Sequence, residues 1–203
     1  MILENYFWKY ESAIPIRFCN DIIKLALTNK NNVHIGLTGG ANLDTLTREQ
    51  EKEVKRIRNS NVAWLNDKWI YNLIHPFIKD ANKNAKWNFD WETSEACQFT
   101  IYEEGQYYDW HCDTHPKLYT DGSLRKLSVT LSLSDPSEYE GGELEFDFRD
   151  NAPHEKANTY VCKEILPKGS LVVFPSSVWH RVRPVKKGKR YSLVIWNLGK
   201  SFR

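Results

Sequence analysis

The chain has 203 residues, of which 41% are hydrophobic and 27% are charged, a composition typical of one folded domain and not of a disordered chain. Its 28 basic and 26 acidic side chains give a net charge of +2, which argues against a protein built mainly to bind polyanions. No apolar stretch approaches the roughly 20 residues of a membrane span, and no basic segment precedes an apolar run at the start. These features predict a soluble, cytoplasmic protein without a signal peptide.

The first half of the chain shows the apolar periodicity of helices. It predicts a helix from about Asn20 to Thr28 and a longer one from about Asp67 to Asp80, with Asp67 as the N-cap. Between them, the charged stretch from Thr47 to Arg58 predicts a solvated helix, and residues 62–65 predict a short strand.

The second half shows short alternating runs separated by turn residues. These runs predict strands at 99–102, 127–133, 144–148, 171–175 and 191–196. Short strands at this spacing favour an antiparallel sandwich or jelly roll on which the helices pack. The loops 114–123 and 149–159 are expected to border the entrance of a site, with His115 as a lid residue.

The cysteines and aromatic residues refine this prediction. The cysteines form no CxxC pair, which excludes a zinc ribbon or thioredoxin motif and predicts free thiols in a reducing compartment: Cys19, Cys97, Cys112 and Cys162. Aromatic residues make up 13% of the chain, which favours a β-rich core, an aromatic-lined pocket, or both.

Two histidines and one aspartate form a candidate metal site. His111 and Asp113 are two positions apart, so an extended chain points both the same way, and His180 follows the apolar run 171–175. Two imidazoles and one carboxylate leave coordination positions open, which suits non-haem Fe(II), whereas a structural zinc site is closed by four ligands. His-x-Asp alone is a weak signal in a chain with six histidines, and a lone histidine is more often a buried structural residue.

Arg190 adds a cation at the start of the last apolar run. Its guanidinium offers a fixed fork for a carboxylate. The alternative is that Arg190 belongs to the solvated basic turn 186–190.

Three ordered motifs make the prediction more specific. The segments 102–113, 131–144 and 166–190 resemble the prolyl 4-hydroxylase-like branch of the Fe(II)/2-oxoglutarate dioxygenases, and within it the PKHD-type hydroxylases. The resemblance covers residues 98–198 and is diffuse before them. It implies an α+β protein with a β-dominated core, a double-stranded β-helix (jelly roll), on which helices from the N-terminal half pack. We therefore expect one dioxygenase domain over 1–203, with 1–97 as a helical support region and 98–198 as the catalytic core.

The same resemblance implies roles for five residues. His111, Asp113 and His180 are implied to bind Fe(II) and to be catalytic. Arg190 is implied to pair with the C5 carboxylate of 2-oxoglutarate, and Tyr102 to hydrogen-bond that carboxylate. The implied cofactors are Fe(II), 2-oxoglutarate and O2, with ascorbate as a candidate reductant.

The implied reaction is hydroxylation of an aliphatic C–H bond, with succinate and CO2 as co-products. A prolyl residue in a protein or peptide is the expected substrate, because Tyr108 and Trp196 occupy places where aromatic residues border the substrate proline in similar prolyl hydroxylases. The alternative for both is a place in the aromatic core. Trp110 and Trp179 alternate away from the ligands, so they are predicted to be core residues.

Other functions stay open at this point. A free amino acid hydroxylase would take a small-molecule substrate. A nucleic-acid demethylase of the AlkB type is disfavoured by the low net charge and by Trp196, which stands where that family's C-terminal motif has a second arginine. A non-catalytic jelly-roll binding module is disfavoured by the joint presence of the three ligands, Arg190 and Tyr102. A zinc hydrolase would need a general base, and the first motif singles none out. The sequence does not indicate an oligomeric state.

Overall fold

The computed structural model of the chain describes residues 3–28, 33–37, 47–114, 117–148 and 157–201, without the side chain of Arg48. His115 and residues 149–156 of the two predicted entrance loops therefore lie outside the described residues. Within these ranges the α-helices are α1 (Ile16–Thr28), α2 (Arg48–Ile57) and α3 (Lys68–Asn84), and two short 3-10 helices span Pro136–Glu138 and Lys163–Ile165. None of these helices has the length and apolar character that a bilayer span requires.

Fifteen strands are formed by the described residues, most of them short. Numbered in chain order, they are β1 (Trp8–Tyr10), β2 (His34–Ile35), β3 (Arg58–Asn59), β4 (Asn61–Leu65), β5 (Thr93–Ser94), β6 (Cys97–Tyr102), β7 (Tyr107–His111), β8 (Ser123–Ser132), β9 (Tyr139–Gly141), β10 (Leu144–Asp147), β11 (Thr159–Val161), β12 (Leu171–Pro175), β13 (Trp179–Val182), β14 (Val185–Gly188) and β15 (Arg190–Lys200).

The strands form two main antiparallel sheets and a small ribbon. The major sheet has the order β1-β12-β8-β15-β6-β4-β2, with β5 beside β15. The minor sheet has the order β11-β10-β13-β7-β3, and β14 pairs with β9. This arrangement, with helices on the major sheet, confirms the predicted α+β class and double-stranded β-helix. The N-terminal half also supplies strands to both sheets, because β1, β2, β3 and β4 extend their edges.

The helices present apolar faces to the major sheet. In α3, Ile70, Ile74 and Ile78 recur every four residues and are fully buried. Asp67 directly precedes α3 as predicted, but its side chain makes no capping hydrogen bond. Helix α1 begins at Ile16, earlier than the predicted Asn20, and the carbonyl oxygen of Pro15 accepts from the N–H groups of Phe18 and Cys19 in its first turn.

Strand β8 separates two buried regions. Its aliphatic side chains face α1 and α3, and we call the cluster on that side the helix-side core; it includes Leu127, Val129 and Leu131 of β8. The alternating polar side chains point to the other side, into what we call the intersheet region, where Phe146 of β10 packs edge-to-face on Phe174 of β12. The intersheet region holds the candidate site.

Candidate metal centre

The three predicted ligands converge at one end of the minor sheet. Strand β7 ends at His111, Asp113 follows two residues later, and the pairing of β13 with β7 places His180 opposite His111. One ligand atom from each residue lies within 4.8 Å of the others. Nε2 of His111 is 3.7 Å from Oδ1 of Asp113, and Nε2 of His180 is 3.6 Å from Oδ2. These separations are too long for hydrogen bonds but suit three groups around one cation.

Both imidazole rings are held in the orientation that a metal ligand needs. Nδ1 of His111 lies 2.8 Å from the carbonyl oxygen of Asp109, and Nδ1 of His180 lies 2.9 Å from that of Val178. A carbonyl oxygen only accepts, so each Nδ1 donates a proton to it and each Nε2 is the ring nitrogen left to face the site. Both Nε2 atoms therefore face the carboxylate of Asp113 across the site.

The electrostatics of the site favour a bound cation. Burial and the neighbouring His180 lower the pKa of His111 to about 3, so this ring is neutral at physiological pH. Burial opposes ionisation of Asp113, but His180, His111 and Arg125 outweigh it and hold the pKa of this carboxyl below its usual range. Oδ2 of Asp113 is buried and has no hydrogen-bond partner among the described residues. A buried carboxylate oxygen beside two imidazole Nε2 atoms fits a divalent metal ion.

Two serines that the sequence analysis did not single out hold Asp113 in place. The backbone N–H groups of Asp113 and Thr114 both donate to the carbonyl oxygen of Ser176, at 2.8 and 2.9 Å. The hydroxyl of Ser128 hydrogen-bonds the Asp113 carboxylate and lies 2.9 Å from the hydroxyl of Ser176. The sequence signal that could have identified Ser128 is the alternation of Ser and Thr with aliphatic residues along β8. This alternation places Ser128 on the face opposite the helix-side core.

Arg190 and Tyr102 face each other across two strands of the major sheet. They are paired residues of β15 and β6, and the guanidinium carbon lies 5.7 Å from the tyrosine ring centroid. Arg190 is only 2% exposed, which excludes the solvated basic turn as its environment, and Nη1 makes a long contact of 3.4 Å with Ser192 Oγ. Burial raises the pKa of Tyr102 although Arg58 and Arg190 oppose the shift, so its hydroxyl stays protonated and can donate.

Gly142 leaves the space that Arg190 occupies. Its φ of +66° belongs to the left-handed region that favours glycine. A Cβ at this position would lie 3.0 Å from Cδ of Arg190 and 2.9 Å from Cγ2 of Val185. The second glycine of the Gly141-Gly142 turn is therefore required by the packing of the arginine.

The two predicted substrate-facing aromatic residues have different surroundings. Tyr108 stacks on His111 with ring centroids 3.5 Å apart and an interplanar angle of 11°. Trp196 is 5% exposed, and the Arg125 guanidinium covers its ring at 3.7 Å. Arg125 is fixed there by two hydrogen bonds of 2.6 Å to Glu95. Tyr108 therefore lies directly at the metal centre, whereas Trp196 lies beneath an ion pair.

Arg58 is a site residue that the sequence analysis placed wrongly. The charged stretch forms α2 as predicted, starting from a capping box between Thr47 and Gln50, but this helix ends at Ile57. Arg58 begins β3, is 3% exposed, and its guanidinium carbon lies 4.7 Å from the Tyr108 ring centroid. A run of charged residues gives no sign of the one that turns inward, so the sequence offered no local signal for Arg58.

The residues flanking the ligands correct another prediction. Trp179 is 39% exposed rather than a core residue, because the alternate face of β13 is open to solvent. Trp110 is half-buried, with the Arg181 guanidinium 4.6 Å above its ring.

The model of the 2OG-Fe(II) oxygenase superfamily matches residues 97–197 of the chain. Among curated proteins, a PKHD-type hydroxylase of Xylella fastidiosa strain 9a5c is 38% identical over 107 residues, which are 49% of this chain and 42% of the relative. A PKHD-type hydroxylase of Teredinibacter turnerae is 40% identical over 101 residues, covering 49% and 41%. The chain thus spans less than half the length of these curated relatives.

Solved structures share the fold at lower identity. A Pseudomonas putida prolyl-4-hydroxylase matches with a TM-score of 0.67 and 18% identity over 98% of this chain and 95% of that one. A viral collagen prolyl hydroxylase from Paramecium bursaria Chlorella virus-1 matches with a TM-score of 0.62 and 20% identity over 97% of both chains. These structures support the double-stranded β-helix, and the family match contains all three metal-site residues. Through residues 97–197, the chain belongs to the 2OG-Fe(II) oxygenase superfamily.

Proposed function

We propose that the chain is an Fe(II)- and 2-oxoglutarate-dependent dioxygenase that hydroxylates an aliphatic C–H bond. The observation that carries this proposal is the convergence of His111, Asp113 and His180 within 4.8 Å in a buried site that also contains Arg190. A closed zinc site would need a fourth protein ligand, and the group found among the described residues has three. Three ligands leave positions open for a chelating co-substrate and for dioxygen.

Each residue of the site has a defined part in this proposal. His111, Asp113 and His180 would hold Fe(II), and Arg190 with Tyr102 would bind the C5 carboxylate of 2-oxoglutarate. Bound iron and 2-oxoglutarate supply the oxidising chemistry, with succinate and CO2 as co-products. The backbone carbonyls behind the two imidazoles fix their orientation, and Ser128 and Ser176 fix the carboxylate. The hydrocarbon walls of the intersheet region exclude water from the reacting groups.

A prolyl residue in a protein or peptide is the substrate that we propose first. The aromatic ring of Tyr108 beside His111 offers a flat wall for a pyrrolidine ring. Names of similar proteins point the same way: the solved neighbours include a prolyl hydroxylase in complex with a hypoxia inducible factor peptide fragment from Trichoplax adhaerens. Trp196 would contact the substrate through the edge of its indole ring, since the Arg125 guanidinium covers one face of that ring. We also propose a cytoplasmic location, where iron is kept ferrous.

The test of this proposal has two steps. The full chain is incubated in air with Fe(II), 2-oxoglutarate and ascorbate, and succinate is measured by mass spectrometry. Proline-containing peptides are then added and searched for a +16 Da product, with matched peptides that carry alanine in place of proline as controls. Iron-dependent succinate is the expected result, and its increase should accompany the +16 Da product. Succinate no higher than in the iron-free blank would overturn the proposed reaction.

A further inference from the structure

Arg58 brings a second buried cation to the metal centre. It is the paired residue of Tyr108 across β3 and β7, and its guanidinium carbon lies 4.7 Å from the Tyr108 ring centroid. The Tyr108 ring in turn stacks on His111 at 3.5 Å. The charge of Arg58 therefore acts on the same site as the proposed iron ligands.

The guanidinium of Arg58 is held by two hydrogen bonds and has one nitrogen without a partner in the described part of the chain. Nε donates to Ser60 Oγ at 2.8 Å, and Nη1 donates to the carbonyl oxygen of Leu37 at 3.2 Å. Gly36 packs so closely that a Cβ there would lie 2.6 Å from Nε. Nη2 is buried and has no hydrogen-bond partner among the described residues. An arginine has five N–H donors, so this fixed guanidinium keeps donors available for a ligand.

Among the residues that the structure describes, the charges around the site leave Arg58 without a compensating anion. Arg125 is paired with Glu95, so the charges to be counted among the described residues nearest the metal centre are Asp113, Arg190 and Arg58. Fe(II) and the 2-oxoglutarate dianion cancel each other, and Asp113 offsets one arginine. One buried positive charge remains, and an unpaired buried charge is costly unless a partner neutralises it.

We propose that Arg58 binds a carboxylate of the substrate, so that the substrate is an amino acid or peptide with a carboxylate beside the hydroxylated carbon. This inference rests on the proposed dioxygenase function and names its substrate class. A carboxylate matches the remaining donors of the guanidinium in charge and in geometry. The carboxylate is the free α-carboxylate of the reacting residue or an acidic side chain next to it.

The test compares two probes that differ by a single charge. The full chain is saturated with 2-oxoglutarate and with Mn(II), which replaces Fe(II) and prevents turnover, and is titrated calorimetrically with N-acetyl-L-proline and with N-acetyl-L-prolinamide. The acid is expected to bind about tenfold or more tightly than the amide, as a charge-assisted pair requires. A second pair, the capped peptides Gly-Pro-Asp and Gly-Pro-Asn with blocked termini, shows whether an acidic side chain can supply the carboxylate.

Three variants complete the test. Arg58→Gln should reduce the affinity for the acid to that of the amide and leave 2-oxoglutarate binding within about twofold, because Arg190 is retained. Arg58→Lys keeps the charge and should restore part of the preference. Arg56→Gln is the matched control: this arginine is two residues away, its side chain is 75% exposed, and it pairs with Glu53. It should behave as the unchanged chain.

Several results would overturn the inference while leaving the proposed function intact. They are equal affinity for the charged and neutral probes, no saturable binding of either acid, an unchanged preference in Arg58→Gln, and a loss of 2-oxoglutarate binding in Arg58→Gln as large as in Arg190→Gln. The last result would assign Arg58 to the co-substrate. Failure of the unchanged chain to bind 2-oxoglutarate at all would instead count against the proposed function itself.

Discussion

The two buried regions on either side of the major sheet are built from different chemistry. The helix-side core is dominated by aliphatic side chains that are fully buried, such as Ile22, Ile74 and Val129. The intersheet region also has apolar walls, but it contains two histidines, an aspartate and two arginines. Buried polar atoms without a partner among the described residues include Asp113 Oδ2, a carboxylate oxygen of the metal centre, and Arg58 Nη2, whose guanidinium lies over the Tyr108 ring beside it.

This difference separates the source of stability from the source of function. Burying aliphatic surface stabilises the fold by about 25 cal/mol per Å², and the helix-side core does this at little polar cost. Burying charges opposes folding unless they are paired, so binding of the proposed metal ion and 2-oxoglutarate should add to the stability of the intersheet region. Substitutions in the intersheet region should therefore mainly lower activity, whereas substitutions in the helix-side core should mainly lower the free energy of unfolding.

The largest effect is expected from the metal centre. His180→Ala removes one of three proposed ligands and should lower the rate of succinate formation by about 10³-fold or more. The variant should remain folded by circular dichroism, since the helix-side core is untouched. Lys187→Ala is the control, because this lysine lies in the exposed ribbon strand β14 and should keep its activity. Equal activity of the two variants would contradict the assignment of His180.

A substitution in the helix-side core should lower stability and leave 2-oxoglutarate binding unchanged. Ile74→Ala deletes a fully buried side chain of α3 and should lower the free energy of unfolding by about 2 to 5 kcal/mol, measured by urea denaturation. Ile57→Ala, at a position that is 47% exposed, should change it by no more than about 0.5 kcal/mol. The KM for 2-oxoglutarate should be unchanged in folded Ile74→Ala. A large increase would contradict the claim that stability and function come from different buried regions.

A smaller and more selective effect is expected at the co-substrate end of the site. Arg190→Gln removes a buried charge-assisted pair and should raise the KM for 2-oxoglutarate by about 10- to 100-fold. Lys189→Gln is the neighbouring control, because that lysine pairs with Glu103 at the surface. If both substitutions changed KM equally, the buried position of Arg190 would have no special role in binding.

The smallest effect is a pH dependence of the metal-free protein. The pKa of His111 is about 3 in the folded chain and about 6.5 when unfolded, so between these values the unfolded state binds a proton that the folded state does not. The free energy of unfolding should therefore fall as pH is lowered from 6.5 to 4.5, by at most about 1.4 kcal/mol per pH unit. Urea denaturation with a chelator present should show a shallower slope for His111→Gln. If the slope were identical in the unchanged chain and in His111→Gln, the group responsible for the pH dependence would be another one, for example His75, whose pKa is also lowered by burial.

The sequence predicted the elements that carry a repeating pattern. The alternation in residues 127–133 gave most of β8, and the four-residue recurrence of Ile70, Ile74 and Ile78 gave α3. The two-residue strands β2, β3 and β5 are too short for any period and were not predicted. Membership in the sheets is decided for them by long-range pairing, which a local pattern does not encode.

The candidate site was predictable where residue type and spacing carry the chemistry. His111, Asp113 and His180 come together as the motifs implied, and Arg190 and Tyr102 are paired across β15 and β6. The roles assigned to these residues stay predictions. Arg58 was missed because burial of a single arginine at the end of a charged helix depends on its pairing with β7. Trp179 was placed wrongly in the core because alternation predicts which side of a strand a residue faces, and not whether that side is covered.

The most direct test of the central claim is a crystal structure of the full chain with Mn(II) and 2-oxoglutarate. The predicted result is one metal ion bound by Nε2 of His111, Nε2 of His180 and the carboxylate of Asp113, with the C5 carboxylate of 2-oxoglutarate on Arg190 and Tyr102. A metal ion bound elsewhere, or a co-substrate whose C5 carboxylate lies on Arg58 instead of Arg190, would contradict it.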